Sequence, residues 1–205
     1  MIVLAFDCAL EALSVAIVDQ RQVLAETVEP PARDQAERLM PAIEATRLAA
    51  GLAWTAIDRL AVTTGPGGFT GVRVGIAAAR GLALATGKPA IGLTTFAALA
   101  AGAPASTAVA VALEAGRGEI YLQCFDGERR PLTQPAVVRP EAAVLPAGCV
   151  PIGPASRLLG GTGEPRRVDA ATLARLALAA VPSQSPPAPF YLRAPAVTWS
   201  AAHHG

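Results

Sequence analysis

The side chains able to do chemistry are few and widely spaced. Asp7 directly follows an apolar run, Ile2-Val3-Leu4-Ala5-Phe6. An acid at the end of a buried strand either helps to hold a metal–nucleotide complex or closes the strand by accepting from turn N–H groups. The next residues, Cys8-Ala9-Leu10-Glu11, contain no glycine and are poorly made to cradle phosphate. Glu114 occupies a similar place after a later apolar run, ahead of Ala115-Gly116-Arg117-Gly118.

The sharpest local motif is Gly65-Pro66-Gly67-Gly68-Phe69-Thr70-Gly71, set between an apolar strand and a long helix that also carries Gly75. Two readings fit it. Unpaired N–H groups at a helix start favour an anion, and glycines let an anion or a partner's backbone come close. That makes Gly65, Gly67, Gly68, Thr70, Gly71 and Gly75 a helix-packing or anion-binding loop. The plainer reading is a tight turn whose glycines supply φ > 0, with Thr70 capping the helix. The run is not a Walker A loop, since no Gly-Lys-Ser/Thr follows and the one lysine, Lys88, lies beyond the helix.

Both histidines, His203 and His204, stand in the last three residues. The body therefore holds no His-x-x-x-His pair and no internal histidine for a Ser-His-Asp or Cys-His arrangement. The three cysteines, Cys8, Cys124 and Cys149, are odd in number and far apart. That argues against a disulfide framework or a zinc site. No catalytic residue, metal site or cofactor is expected.

Composition sets the background. Of 205 residues, 52% are apolar and 16% charged, which suits a sizeable core. A net charge of +1 leaves no basic stripe for free-standing nucleic-acid binding. No basic leader opens the chain, and the uncharged stretch 89–113 is broken by Gly92, Gly102 and Pro104. The expectation is a cytoplasmic protein with no membrane segment.

The elements that must position these residues follow from pattern. Strands are expected at 2–7, 13–18 and 23–28, in an antiparallel meander. A helix over 34–50 contains Pro41, which must sit in its first turns or kink it. A strand at 60–64, a helix at 70–86, a strand at 89–93 and a helix at 95–101 with Thr94 as N-cap complete a βββαβαβα unit. The second half restarts with strands at 109–113, 120–125 and near 135–138. A marginal helix at 140–145, a short strand at 150–152 and a helix at 170–180 follow. After Pro182 the chain is proline-rich, and 190–193 is expected to anchor it. Asp7 and Asp19 bracket the same number of residues as Glu114 and Asp126, which reads as a decayed duplication. The fold class expected is α/β, an actin-like (ASKHA, ribonuclease H-like) duplicated βββαβαβα fold with a shortened second lobe. Its lobes are 1–102 and 103–205.

The helix over 70–86 is apolar over most of its circumference, with Arg73 and Arg80 as its only polar stripe. Such a helix wants cover on two sides. One row is expected on its own sheet and another against a neighbour. The outward row assigned here is Val72, Ile76 and Ala83, with Leu39, Met40 and Ile43 of the first helix beside it.

These blocks resemble the TsaB (YeaZ) family, small paralogues of the threonylcarbamoyl transferase subunit TsaD. Residues 33–41, Arg-Asp-Gln-Ala-Glu-Arg-Leu-Met-Pro, resemble the family's Arg-x-His-x-x-x-Leu-Leu-Pro block. Residues 65–75 are similar to its Gly-Pro-Gly-Ser-Phe-Thr-Gly-x-Arg-x-Gly signature, and Gly118-Glu119-Ile120-Tyr121 and Tyr191-Leu192-Arg193 also fit. Gln35 replaces a frequent His, Gly68 a frequent Ser, and Glu114-Ala115-Gly116-Arg117 a more usual Asp-Ala-Arg.

The resemblance implies a non-catalytic subunit of tRNA threonylcarbamoyladenosine synthesis. It would pair with a TsaD-type transferase, which holds the metal and the chemistry, through the two helices of the first lobe. A TsaE-type ATPase joins them, and tRNA is met only within the complex. A weak homodimer through the same patch is expected. The competing readings are a self-sufficient actin-like ATPase or kinase and, on old labels of relatives, a glycoprotease-like metallopeptidase.

Overall fold

The computed structural model describes residues 1–32, 34–183 and 185–192, and for Gln35 the backbone alone. Arg33, Arg193, His203 and His204 lie outside the described residues.

Three strands open the chain as a meander: β1 (Val3–Asp7), β2 (Leu13–Val18) and β3 (Val23–Glu29). Every residue of β1 and β2 is buried, consistent with sheet faces covered on both sides. Helix α1 (Gln35–Ala49) follows, then β4 (Arg59–Thr63), α2 (Phe69–Thr86), β5 (Ala90–Leu93) and α3 (Thr95–Ala101). The sheet order is β3-β2-β1-β4-β5, with β1–β4 and β4–β5 parallel. Thr94 caps α3, accepting from the Ala97 N–H at 3.1 Å. Pro41 does lie inside α1, on its exposed side.

The second half builds β6 (Val109–Gly116), β7 (Glu119–Phe125), β8 (Ala136–Val138) and β9 (Val150–Ile152), then α4 (Ala170–Ala179). Their order is β8-β7-β6-β9, with β6–β9 parallel and the other pairs antiparallel. This repeats the first four strands of the first sheet. The helix expected at 140–145 is only a single 3-10 turn, Pro140–Ala142, and the chain is already extended at Ala143. The duplication reaches the hairpin turns: Asp19 Oδ1 accepts from the Arg21 and Gln22 N–H groups, and Asp126 Oδ1 from those of Glu128 and Arg130. The architecture is the actin-like duplicated fold with a reduced second half.

Two large apolar clusters organise it. One lies outside the first sheet and joins Leu4, Phe6, Val15, Ile17 and Leu60 to Leu39 and Ile43 of α1 and to Val72, Ile76 and Ala79 of α2. The other lies between the sheets, joining Val3, Ala5 and Ala16 to Val109, Val111, Phe96 and Leu173. Here the helices are exchanged: α4 packs on β1 and β2, while α3 touches β6. Alanines such as Ala5, Ala16, Ala170, Ala174 and Ala177 let these backbones approach closely.

Candidate functional site

The glycine motif places Gly68 as the N-cap of α2, with no side-chain cap. Thr70 therefore sits inside the first turn and is not the cap expected from sequence. The helix starts one residue early because the turn 65–68 is held from outside. The Gly68 N–H donates to Ala9 O at 2.7 Å, and Gly65 O accepts from Thr95 N at 2.8 Å. A Cβ at Gly67 would stand 2.4 Å from Ala9 O, and one at Gly71 1.8 Å from Cys8 O. Gly75 faces Val62 and the Cys8 thiol, at 3.2 and 3.4 Å from where a Cβ would be. Gly67, Gly71 and Gly75 are thus accounted for by contact with the β1–β2 turn and β4 of the same chain. Cys8 donates its thiol to Gly71 O at 3.2 Å, and burial pushes that thiol up to about 12.

Asp7 lies behind this contact, wholly buried. Its Oδ1 accepts from the Thr63 hydroxyl and, at 3.2 Å, from the Ala9 N–H. Oδ2 is buried without a partner among the described residues. Burial raises its pKa from 3.8 to about 6, against the lowering effect of those hydrogen bonds. The nearby cleft between the two halves has a volume of about 310 Å³ and is lined by Ala9, Leu10, Glu11, Gly67, Gly68, Leu113, Glu114 and Pro154. Glu114 reaches it, whereas Asp7 does not line it. The charged groups on its wall are Glu11, which is ion-paired with Arg166, and Glu114. Among the described residues no group of three or more His, Cys, Asp or Glu is placed to hold a metal ion.

The residues assigned to an outward row are placed differently. Leu39, Ile43, Val72 and Ile76 are buried against the chain's own sheet. Ala83 is partly buried, and Met40 alone of the six is exposed, at 43%. The cause is register. In α2 the sheet-facing row is Val72, Ile76 and Ala79, with Gly75 beside it, because the glycines must lie over Cys8 and Val62. The opposite side of α2 presents Ala77, Gly81 and Leu84, and that of α1 presents Met40, Pro41, Ala45 and Leu48. Leu84 is 88% exposed and Leu48 62%.

Arg73 and Arg80, the polar stripe of α2, hold the C-terminal segment. Arg80 Nε donates to Pro187 O at 2.8 Å and Arg73 Nε to the Tyr191 hydroxyl at 2.9 Å. The Phe190 N–H donates to Thr64 O at 2.8 Å, laying the segment across the ends of β4 and β5. The Phe190–Tyr191 anchor expected from sequence is present. Its partners on α2 were not foreseeable, since they are two arginine side chains more than a hundred positions away in sequence.

Comparison with known proteins adds identity to this geometry. Residues 22–164 match the family model TsaD, tRNA N6-adenosine threonylcarbamoyltransferase. The chain is 40% identical over 124 residues to the tRNA threonylcarbamoyladenosine biosynthesis protein TsaB of Escherichia coli, covering 59% of this chain and 53% of that protein. It thus spans about half the length of the curated relatives it matches. The solved structure of YeaZ from Pseudomonas aeruginosa superposes with a TM-score of 0.79 at 30% identity, over 93% of this chain and 99% of that one. An uncharacterized protein from the same organism, described as similar to peptidase YEAZ, gives 0.82 at 30% identity over 94% and 99%. With an actin-like topology, a glycine motif packed on its own first turn and YeaZ-type solved structures matching nearly its whole length, the chain belongs to the TsaB (YeaZ) family.

Proposed function

We propose that this chain is a non-catalytic subunit of the machinery that makes threonylcarbamoyladenosine in tRNA, acting by binding a TsaD-type transferase. The observation that carries the reading is the outer side of α1 and α2. Ala45 and Leu48 of α1 and Ala77, Gly81 and Leu84 of α2 are exposed small or apolar residues on two helices whose inner sides are already satisfied. Soluble proteins rarely keep such a surface without a partner. Small residues at 77 and 81 suit close approach by another helix. The matched TsaB and transferase families name the kind of partner.

The absence of catalysis rests on the residues themselves. Asp7 is buried and does not line the cleft, and the histidines stand only at 203 and 204. The reading extends to a TsaE-type ATPase and to tRNA met within the complex, in the cytoplasm. No helix among the described residues is long and apolar enough to cross a membrane. The self-sufficient ATPase reading would need a phosphate cradle, and the turn 8–11 has none.

The test is reconstitution. This chain alone is expected to leave tRNA unmodified, and modification should appear when cognate transferase, ATPase, ATP and the threonylcarbamoyl-adenylate donor are supplied with it. Co-purification with the transferase should be lost in Leu84→Glu. Robust modification by the chain alone, or undiminished pairing by the variant, would overturn the assignment.

A further inference from the structure

At the N-terminal end of α2, three side chains form an ordered, solvent-facing cluster. The Phe69 and Tyr191 rings are stacked, with centroids 6.3 Å apart and planes 25° from parallel. The Arg73 guanidinium lies 3.6 Å over the Phe69 ring and 5.9 Å from that of Tyr191. Its Nε is used by the Tyr191 hydroxyl, and no partner is recorded among the described residues for its Nη1 or Nη2. The cluster stays in the open: Phe69 is 52% exposed and Tyr191 43%.

Anchoring the C-terminal segment does not account for all of this. Phe190 and Arg80 already fix that segment, the Phe190 N–H donating to Thr64 O and Arg80 Nε to Pro187 O, each at 2.8 Å. An exposed phenylalanine adds little to such a latch. Rigid aromatic and arginine side chains held ready in solvent are the composition of binding hot spots. The cluster also continues the outward surface of α2, since Arg73 lies one turn before Ala77. α2 carries Arg73 and Arg80 and no acidic residue, so negative charge on a partner is favoured at its Arg73 end.

We propose that Phe69, Arg73 and Tyr191 form the anchoring end of the partner-binding surface, and that the transferase-type subunit places an acidic side chain on the free Nη edge of Arg73. The inference rests on the pairing proposed above and extends it from the two outer helices to the C-terminal segment. Arginine is suited to this because its Nη edge can meet a carboxylate in bidentate fashion while its plane stays stacked. An RNA occupant is less favoured, because a net charge of +1 supplies little counterion release.

The experiment measures affinity for the cognate transferase-type subunit by calorimetry, using the full chain and variants. Arg73→Glu and the double variant Phe69→Ala/Tyr191→Ala are expected to weaken binding about tenfold or more, with melting temperatures near that of the wild type. Tyr191→Phe removes only the hydroxyl. It should bind within about threefold of wild type, which separates partner contact from anchoring of the segment. If Leu84→Glu abolishes pairing while Arg73→Glu and the double variant bind normally, this inference fails and the proposed pairing stands. If the wild type does not bind at all, the pairing and the inference fall together. If subunit affinity is unchanged but Arg73→Glu weakens tRNA binding by the assembled complex, the cluster is an RNA contact and the inference is wrong.

Discussion

Arg73 and Tyr191 stand 118 positions apart and are joined by a hydrogen bond of 2.9 Å, from the arginine Nε to the phenolic oxygen. The bond ties the first helical turn after the glycine motif to the far end of the described chain. It makes one surface out of two segments that sequence reasoning treats separately.

The division of α2 into an inner and an outer row gives the first prediction. Ile76→Ala should cost about 2–4 kcal/mol of stability, because it opens a cavity under a helix that cannot collapse onto its sheet. Leu84→Ala, on the outer row, should stay within about 0.5 kcal/mol. Urea denaturation of the two variants checks this, and equal losses would mean that the rows have been misassigned.

Glycines in the same helix should respond with opposite sign. A Cβ at Gly71 would meet Cys8 O at 1.8 Å, which is backbone and cannot step aside cheaply, whereas one at Gly81 meets nothing within 4 Å. Gly71→Ala is expected to lower stability by about 2 kcal/mol or more, in the range of overpacked cores. Gly81→Ala should raise it by up to about 1 kcal/mol, through helix propensity and a less disordered unfolded chain. Thermal melts of both single variants are sufficient.

Asp7 should give the stability a pH signature. Its folded pKa, about 6, lies above the ordinary value of 3.8, so the native state binds the proton more tightly than the unfolded chain. The stability from this group is complete below pH 3.8, falls as pH rises towards 6, and is level above that. The full swing is on the order of 3 kcal/mol. Surface carboxylates with lowered values, among them Asp19 and Asp126, slope the other way. The informative quantity is therefore the difference between wild type and Asp7→Asn, measured by urea titration at pH 4 and pH 7. Asn keeps an oxygen for Thr63 and Ala9 and should be relatively more favourable at pH 7 than at pH 4. No change in that difference would remove the proton linkage.

A two-fold contact lets the same apolar residues meet their own copies, so we expect weak self-association that competes with the transferase-type partner. Sedimentation of the isolated chain should show a concentration-dependent dimer. Leu84→Glu should leave it monomeric, and adding the partner should dissolve the homodimer in proportion.

Much of the fold was legible because period and punctuation agree. The apolar runs of β1, β2 and β4, the glycine ending α2 and the Thr94 cap are all local signals. The family was legible through the motif at 65–75. The outward row was not, because Val72 and Ile76 are as apolar as a partner-facing row would be. The close approach of Gly71 and Gly75 to Cys8 and Val62, where a Cβ at Gly71 would not fit, decides which side meets the sheet. Asp7 looked like a cleft residue for a similar reason. Its place at a strand end is visible in sequence, but its burial under the β1–β2 turn depends on tertiary contact.

The exchange of helices between the two sheets has a consequence for synthesis of the chain. The first sheet's inner face is covered by α4, whose residues are 170–179, so β1 and β2 are complete long before their cover has been translated. A nascent chain ending near residue 160 would carry Val3, Ala5, Ala16 and Val18 without Leu173, Ala174 and Ala177. Such an intermediate is expected to bind hydrophobic dyes and to be cleaved readily by protease, with protection arriving in one step once α4 has emerged. Arrest of translation at successive lengths would locate that step, and protection already present at residue 120 would show that the first half closes without α4.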